Sequence, residues 1–380
     1  MPPRTEVETL VALNDYIADG NQLSRAVVTG ADLTAWAIPI DLDLTGGIFL
    51  GCELTEALAY QLIHGTALVF PAVAGLPFKP WRTTLYTAAE LHPQNASPVD
   101  AEIYEWWKEK RSGDPYSALL QRIHDMSIDD ALNDLLQGHR VVGVMGGSSM
   151  ERGTPDYLNV VHLGWAIARA GFVVVTGGGP GAMEAANLGA RLTRLPKQAL
   201  QYVTWMLGDA PAAAQSRPEG QARALALADW IEQMDARLVV AAPPTVGVPT
   251  WFYGHEPTNP FANHIAKYFQ NSVREDGLVT LANAGIVFAP GKAGTLQEIF
   301  QDATQNYYPT NDAPEVPMIL FGSRYWTHEL AAWPLLQQLF AKRRAPQSDR
   351  PLPNLIATMD DIQMIVAALD GRSAPLSAAS

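Results

Sequence analysis

GFVVVTGGGPGAMEAANLGARL occupies residues 171–192. Residues 172–175 form a short, unbroken apolar run rich in valine, as in a strand buried on both faces. Gly177, Gly178 and Gly179 follow almost at once. Pro180 suits a first helical turn, where its missing N–H is not needed. The alanine-rich residues after Gly181 favour a helix. Strand, glycine turn and helix together make half of a βαβ unit.

The same order recurs on both sides. RVVGVMG (140–146) reads as a strand leading to Gly147, Ser148 and Ser149, and 154–171 as a helix begun by Thr154 and Pro155. Further strands are expected at 202–207, 237–244, 285–290 and 316–322, with helices at 219–235, 261–276, 293–307 and 361–370. Residues 325–342 repeat the helical pattern. This alternation predicts a Rossmann-like, mostly parallel α/β sheet with helices on both faces. Such sheets bind ligands beyond the carboxyl ends of their strands, where the glycine stretches fall.

Residues 1–135 read differently. They predict an N-terminal α+β extension, with strands at 42–51 and 66–75, a helix at 100–110, and one or two more over 115–138. The nucleotide-binding or catalytic domain is expected over 136–380.

The chain has 380 residues, 48% hydrophobic and 17% charged, with a net charge of −13. That charge argues against a nucleic-acid polymer as partner. An anionic ligand would need a local site of backbone amides and a few basic side chains. A single cysteine, Cys52, rules out an intrachain disulfide and a cysteine-built zinc site. No metal or cofactor is implied. No export signal and no 18-residue apolar run are seen, which predicts a cytoplasmic protein without a membrane partner.

Glycines with exposed amides at a helix start attract phosphate. The stretch at 177–181 is not the dinucleotide fingerprint G-x-G-x-x-G, and GKAGT (291–295) is not a Walker loop. In PGKAGTLQE (290–298), Glu298 stands three residues after Thr295. That spacing resembles a capping box. Alternatively, the carboxylate faces the crevice, where it is suited to a sugar hydroxyl or a water. In 249–261, Trp251, Phe252 and Tyr253 are available to stack on a base, and His255 and Glu256 to meet its polar edge; a packed loop is the competing reading.

Together, 178–184 and 290–298 resemble the LOG family, once labelled "lysine decarboxylase-like". Its pattern is a triple-glycine loop followed by P-G-G-x-G-T-x-x-E. The resemblance runs from about Arg140 to Arg343 and is to the larger, actinobacterial-type members. It implies a Rossmann-like homodimer or higher oligomer. The implied activity is hydrolysis of nucleoside 5′-monophosphates, AMP among them, to free base and ribose 5-phosphate. Carried over by position, Glu298 and Arg274 are the catalytic pair. Substrate would be held by Gly147, Ser148, Ser149, Gly178, Gly179, Gly181, Glu184, Gly291, Lys292, Ala293, Gly294 and Thr295. Lys292 replaces the second glycine of P-G-G, and Glu275 follows Arg274 where the short form often has lysine.

Breaking the C1′–N bond builds positive charge on the ribose, which a carboxylate stabilises. Arginine keeps its charge, so Arg274 suits a clamp better than a general acid. A nucleotide-sensing protein without turnover is the alternative, and an NAD(P)-dependent oxidoreductase a third reading.

Overall fold

The computed structural model describes residues 4–93, 97–110, 113–208, 218–237, 243–253, 259–308, 315–341 and 355–371. It divides into two compact units: Met1–Leu85 with Ala101–Leu135, and Tyr86–Asp100 with Leu136–Ser380.

In the first unit, β1 (Thr5–Val7), α1 (Leu10–Ala18), β2 (Ala26–Thr29), β3 (Ile48–Cys52), α2 (Glu56–His64) and β4 (Leu68–Pro71) build a parallel sheet of order β1-β2-β3-β4. Thr9 and Thr55 cap α1 and α2 by accepting the amides of Ala12 and Leu58. Leu13, Val28, Phe49 and Leu62 fill the core beneath. α3 (Ala88–Leu91) belongs to the second unit, while most of α4 (Val99–Lys110) and α5 (Pro115–Leu136) belongs to the first, and the stretch at 115–136 is one continuous helix.

The second unit holds seven parallel strands: β5 (Val141–Met145), β6 (Val173–Thr176), β7 (Thr245–Gly247), β8 (His264–Ile265), β9 (Gly285–Phe288), β10 (Met318–Phe321) and β11 (Ile356–Met359). Their order is β11-β10-β9-β5-β6-β7-β8. The chain leaves β5 towards β6 but leaves β9 towards β10, so the direction of winding reverses between β5 and β9. Right-handed crossovers then put α6 (Pro155–Arg169) and α7 (Ala182–Arg191) on one face. By the same rule α10 (Asn271–Leu281), α11 (Ala293–Tyr307) and α12 (Ala332–Ala341) lie on the other. Thr154 caps α6 through the Tyr157 amide. The last helix, α13 (Ile362–Leu369), returns to pack on α6.

Two expected elements differ. Residues 202–207 lie within a helix, α8 (Lys197–Gly208), not a strand. Leu200, Val203, Thr204 and Leu207 are buried while Tyr202, Trp205 and Met206 are exposed, which is a helical period. The helix expected over 261–276 starts only at Asn271. Before it, Ile265 pairs with both β7 and Tyr86, and Tyr268 bridges to Thr250. Pairing on two sides buries Phe261, Ala262, Ile265, Ala266, Tyr268 and Phe269 and leaves no polar face for a helix. The strand expected at 237–244 falls largely outside the described residues. α9 (Pro218–Arg237) precedes it. No helix among the described residues is long and apolar enough to cross a membrane.

Candidate functional site

Where the winding reverses, the loops after β5 and β9 touch. The amide of Gly147 donates to the Pro290 carbonyl at 3.0 Å, and Ala289 donates to Met145 at 2.8 Å. The Gly147 carbonyl in turn accepts the Ala182 amide at 3.1 Å, so the first loop closes over the start of α7. Tyr325 Oη donates to the Gly291 carbonyl at 2.7 Å and fixes the third loop. All three glycine stretches therefore meet at one end of the sheet.

The triple-glycine loop is pinned from below. Thr176 Oγ1 accepts the Gly178 amide at 3.1 Å and donates to Asn187 Oδ1 at 2.6 Å. Asn187 Nδ2 donates to Thr245 Oγ1 at 2.7 Å. Gly178 has φ +74°, where only glycine is at ease. A Cβ there would stand 2.5 Å from Pro249 Cδ.

Exposure separates the residues singled out by sequence. Ser148, Ser149, Lys292, Ala293 and Gly294 are exposed, and Gly147 is half-buried. Gly178, Gly179, Gly181, Glu184, Gly291 and Thr295 are buried. Lys292 is the N-cap of α11, so Thr295 is already inside the helix and the expected capping box with Glu298 does not form. The amides of Ala293, Gly294 and Thr295 precede the first intrahelical bond, from Leu296 to Lys292 at 2.9 Å. Such amides, with the helix dipole behind them, suit an anion.

Arg274 and Glu298 come from the adjoining helices α10 and α11. Arg274 Nε donates to the Val248 carbonyl at 2.9 Å, and its side chain is 11% exposed. Its guanidinium lies against Gly177, where a Cβ would come within 2.6 Å of Nη2. Glu298 is half-buried, and its carboxyl is pushed up to about 7. Burial is the main cause; Arg274's charge opposes it and Glu275's charge adds to it. The two side chains are thus within each other's electrostatic reach, beside the triple-glycine loop.

Glu184 is differently placed. Its Oε1 accepts from Arg152 Nε at 2.7 Å and Tyr157 Oη at 2.6 Å, and its Oε2 accepts from Arg152 Nη2 at 2.5 Å. Burial, then Glu184's charge, holds the Tyr157 hydroxyl above its usual range, so it stays a donor. Arg152 also donates to the Gly220 carbonyl at 2.9 Å. This buried group braces the loop carrying Ser148 and Ser149.

Trp251 is buried too and does not face a ligand. It packs on Phe269 at 4.6 Å and donates to Asp100 at 2.9 Å. Tyr253 remains exposed, whereas His255 and Glu256 lie outside the described residues. Sequence reading missed Glu275 and Gln297. Glu275 Oε2 accepts from Gln297 Nε2 at 2.7 Å and Oε1 from Tyr253 Oη at 3.2 Å. The only signal was the acidic residue directly after Arg274. A further cavity of about 300 Å³ opens beside Pro290, lined by Met150, Asp156, Asn159, Phe321 and Asp360 among others. Among the described residues no cluster is arranged to hold a metal.

Fold and loops define a Rossmann-like α/β protein with a glycine-lined crevice at its winding reversal. Residues 139–194 match the model of the SLOG cluster4 family, which supports membership of the LOG/SLOG superfamily. That segment contains the first two glycine stretches and ends before Arg274 and Glu298. Among solved structures, the molybdenum cofactor binding protein of the phototrophic bacterium Rippkaea orientalis is similar at 17% identity, with 62% of this chain and 98% of that chain covered and a TM-score of 0.37. The molybdenum cofactor carrier protein of Chlamydomonas reinhardtii shows 16% identity, the same coverages and a TM-score of 0.37. Comparison with curated proteins gave no match.

Proposed function

We propose that the chain hydrolyses the N-glycosidic bond of a nucleoside 5′-monophosphate, releasing free base and ribose 5-phosphate. One observation carries this reading. Arg274 lies on Gly177 with its charge felt at Glu298, one turn past the first-turn amides that open α11.

In this reading Ser148, Ser149, Lys292 and the amides of Ala293, Gly294 and Thr295 take the 5′-phosphate. Phosphate binding then holds C1′ in place, so remote binding energy serves the bond that breaks. Gly178, Gly179 and Gly181 shape the loop beneath the ribose, Gly178 by packing on Pro249 and Gly181 by packing on Gly147 and Ser148. Gly147 and Gly291 pack against each other beneath the phosphate. Glu184 contributes from below, through Arg152. As the C1′–N bond lengthens, the Glu298 carboxylate stabilises the positive ribose and takes a proton from the attacking water. The bonding pair leaves with the base, which gains a proton from solvent. Arg274 orients Glu298 and balances its charge. The protein would work in the cytoplasm as a homodimer or larger oligomer.

The test is to incubate purified protein with AMP, GMP, CMP, UMP and a cytokinin monophosphate and to measure base and ribose 5-phosphate. Release should occur with at least one of them and fall by about 10²-fold or more in Glu298→Ala. Tight binding without release would instead make the protein a nucleotide sensor and end the hydrolase proposal.

A further inference from the structure

We propose that Tyr253 and Glu275 form the base subsite of the crevice and select nucleobases carrying an exocyclic amino group. The inference rests on the nucleoside-monophosphate reading above and names which bases the site takes.

On that reading the base lies beside these two residues. The phosphate end of the crevice is the start of α11, and Glu298 attends C1′ one turn further on. The base hangs from C1′. Glu275, on α10, stands beside Arg274, with Oε1 3.8 Å from Nη1, and its charge is felt at Glu298. Its side chain is 15% exposed and is held by donors from two other segments, Tyr253 on one oxygen and Gln297 on the other. A carboxylate oxygen has two lone pairs, so each still has room for one more donor. The Arg274 guanidinium, held at Val248 and over Gly177, is already engaged.

Tyr253 supplies the face. Its hydroxyl is clamped, accepting from Asn271 Nδ2 at 2.8 Å while donating to Glu275. The residue nevertheless remains 58% exposed. A fixed, exposed aromatic face is a stacking platform for a flat heterocycle. An acceptor-only carboxylate at the edge of that platform favours a base offering N–H there. Adenine N6 and cytosine N4 do so. At that exocyclic position hypoxanthine O6 and uracil O4 place an acceptor against an anion, and their donors, N1–H and N3–H, lie one ring atom away. A site built to accept a hydrogen bond discriminates strongly against a partner that cannot donate one.

Were the Tyr253–Glu275–Gln297 chain only a brace for the loop, its loss would weaken folding and leave base choice unchanged. The experiment therefore compares pairs differing in one group: AMP with IMP, and CMP with UMP. The amino member of each pair should be favoured in kcat/KM by about tenfold or more. Glu275→Gln should bring both ratios close to one while leaving inhibition by ribose 5-phosphate unchanged, since that product has no base. Tyr253→Ala should raise KM for all four nucleotides by about tenfold. Equilibrium binding of the four nucleotides to Glu298→Gln protein should show the same amino preference without turnover. Hydrolysis of both members of each pair at equal rates, or an amino preference that survives Glu275→Gln, would overturn the subsite and leave the hydrolase reading standing. Neither binding nor release with any of the four would overturn both.

Discussion

Glu298 ties the proposed chemistry to pH. Its carboxyl is pushed up to about 7, first by burial and then by Glu275, against the pull of Arg274. The proposed step needs the ionised form. Activity as kcat/KM should therefore rise from pH 6 to pH 8 and level off, with a midpoint near 7 that reports the free enzyme. Glu275→Gln removes a like charge and should move that midpoint to lower pH. A profile flat across this range would remove Glu298 from the reaction. Stability has the opposite sign. The folded state holds the Glu298 proton more tightly than the unfolded chain, so this contribution is complete below about 4.5 and is lost as pH rises through 7. The PGKAGTLQE spacing pointed to Glu298, but the structure was needed to choose between a cap and the crevice. The cap falls at Lys292, three residues before Thr295, which places Thr295 inside the helix. Glu184 was harder to read, because its partner Arg152 lies 32 positions earlier and nothing local announces the pair.

Elements with one unbroken period were legible almost to the residue. Helix α11 was expected over 293–307 and occupies Ala293–Tyr307. Residues 202–207 were not, because six mostly apolar residues fit a buried strand and a helix equally well until their neighbours are seen. The triple glycine was legible as a turn, but the reason for each glycine lies in what packs against it. At Gly178 φ is +74°, and a Cβ would stand 2.5 Å from Pro249 Cδ and 2.8 and 2.9 Å from the backbone nitrogens of Pro249 and Val248. Gly178→Ala should therefore destabilise the protein by about 2 kcal/mol or more in denaturant titration. It should also displace Arg274, which hangs from the Val248 carbonyl. Gly294 has no atom within 4 Å of its would-be Cβ and lies in the first turn of α11. Gly294→Ala should leave the midpoint unchanged or raise it slightly, because alanine favours the helix. Equal losses for the two variants would mean that the glycines matter only as flexible chain.

For the molecule as a whole, the informative feature is a pair of residues 167 positions apart. Lys267 Nζ lies 2.7 Å from Asp100 Oδ1, with both side chains at most 1% exposed. The same oxygen accepts from Trp251 Nε1 at 2.9 Å, and the ammonium sits 5.2 Å over the Trp251 ring. Tyr86, at the other end of the segment Tyr86–Asp100, pairs with Ile265 on the sheet edge. Residues 86–100 are thus tied into the second unit by pairing at one end and a buried ion pair at the other. A sequence boundary at 135 cannot show this, because a lone aspartate and a lone lysine so far apart give no local pattern. Breaking one half of a buried ion pair costs more than removing both charges. Lys267→Met alone should destabilise the protein by about 3–5 kcal/mol, because it removes one half of a buried ion pair. Adding Asp100→Asn removes the other half yet still accepts the Trp251 N–H, so the double variant should recover most of the loss. Trp251 immediately precedes Phe252 and Tyr253, so the single variant should also weaken nucleotide binding and the double should restore it. Denaturation midpoints of the three proteins decide the matter: a single variant as stable as the parent, or a double no better than the single, would show that the pair does not hold the segment in place.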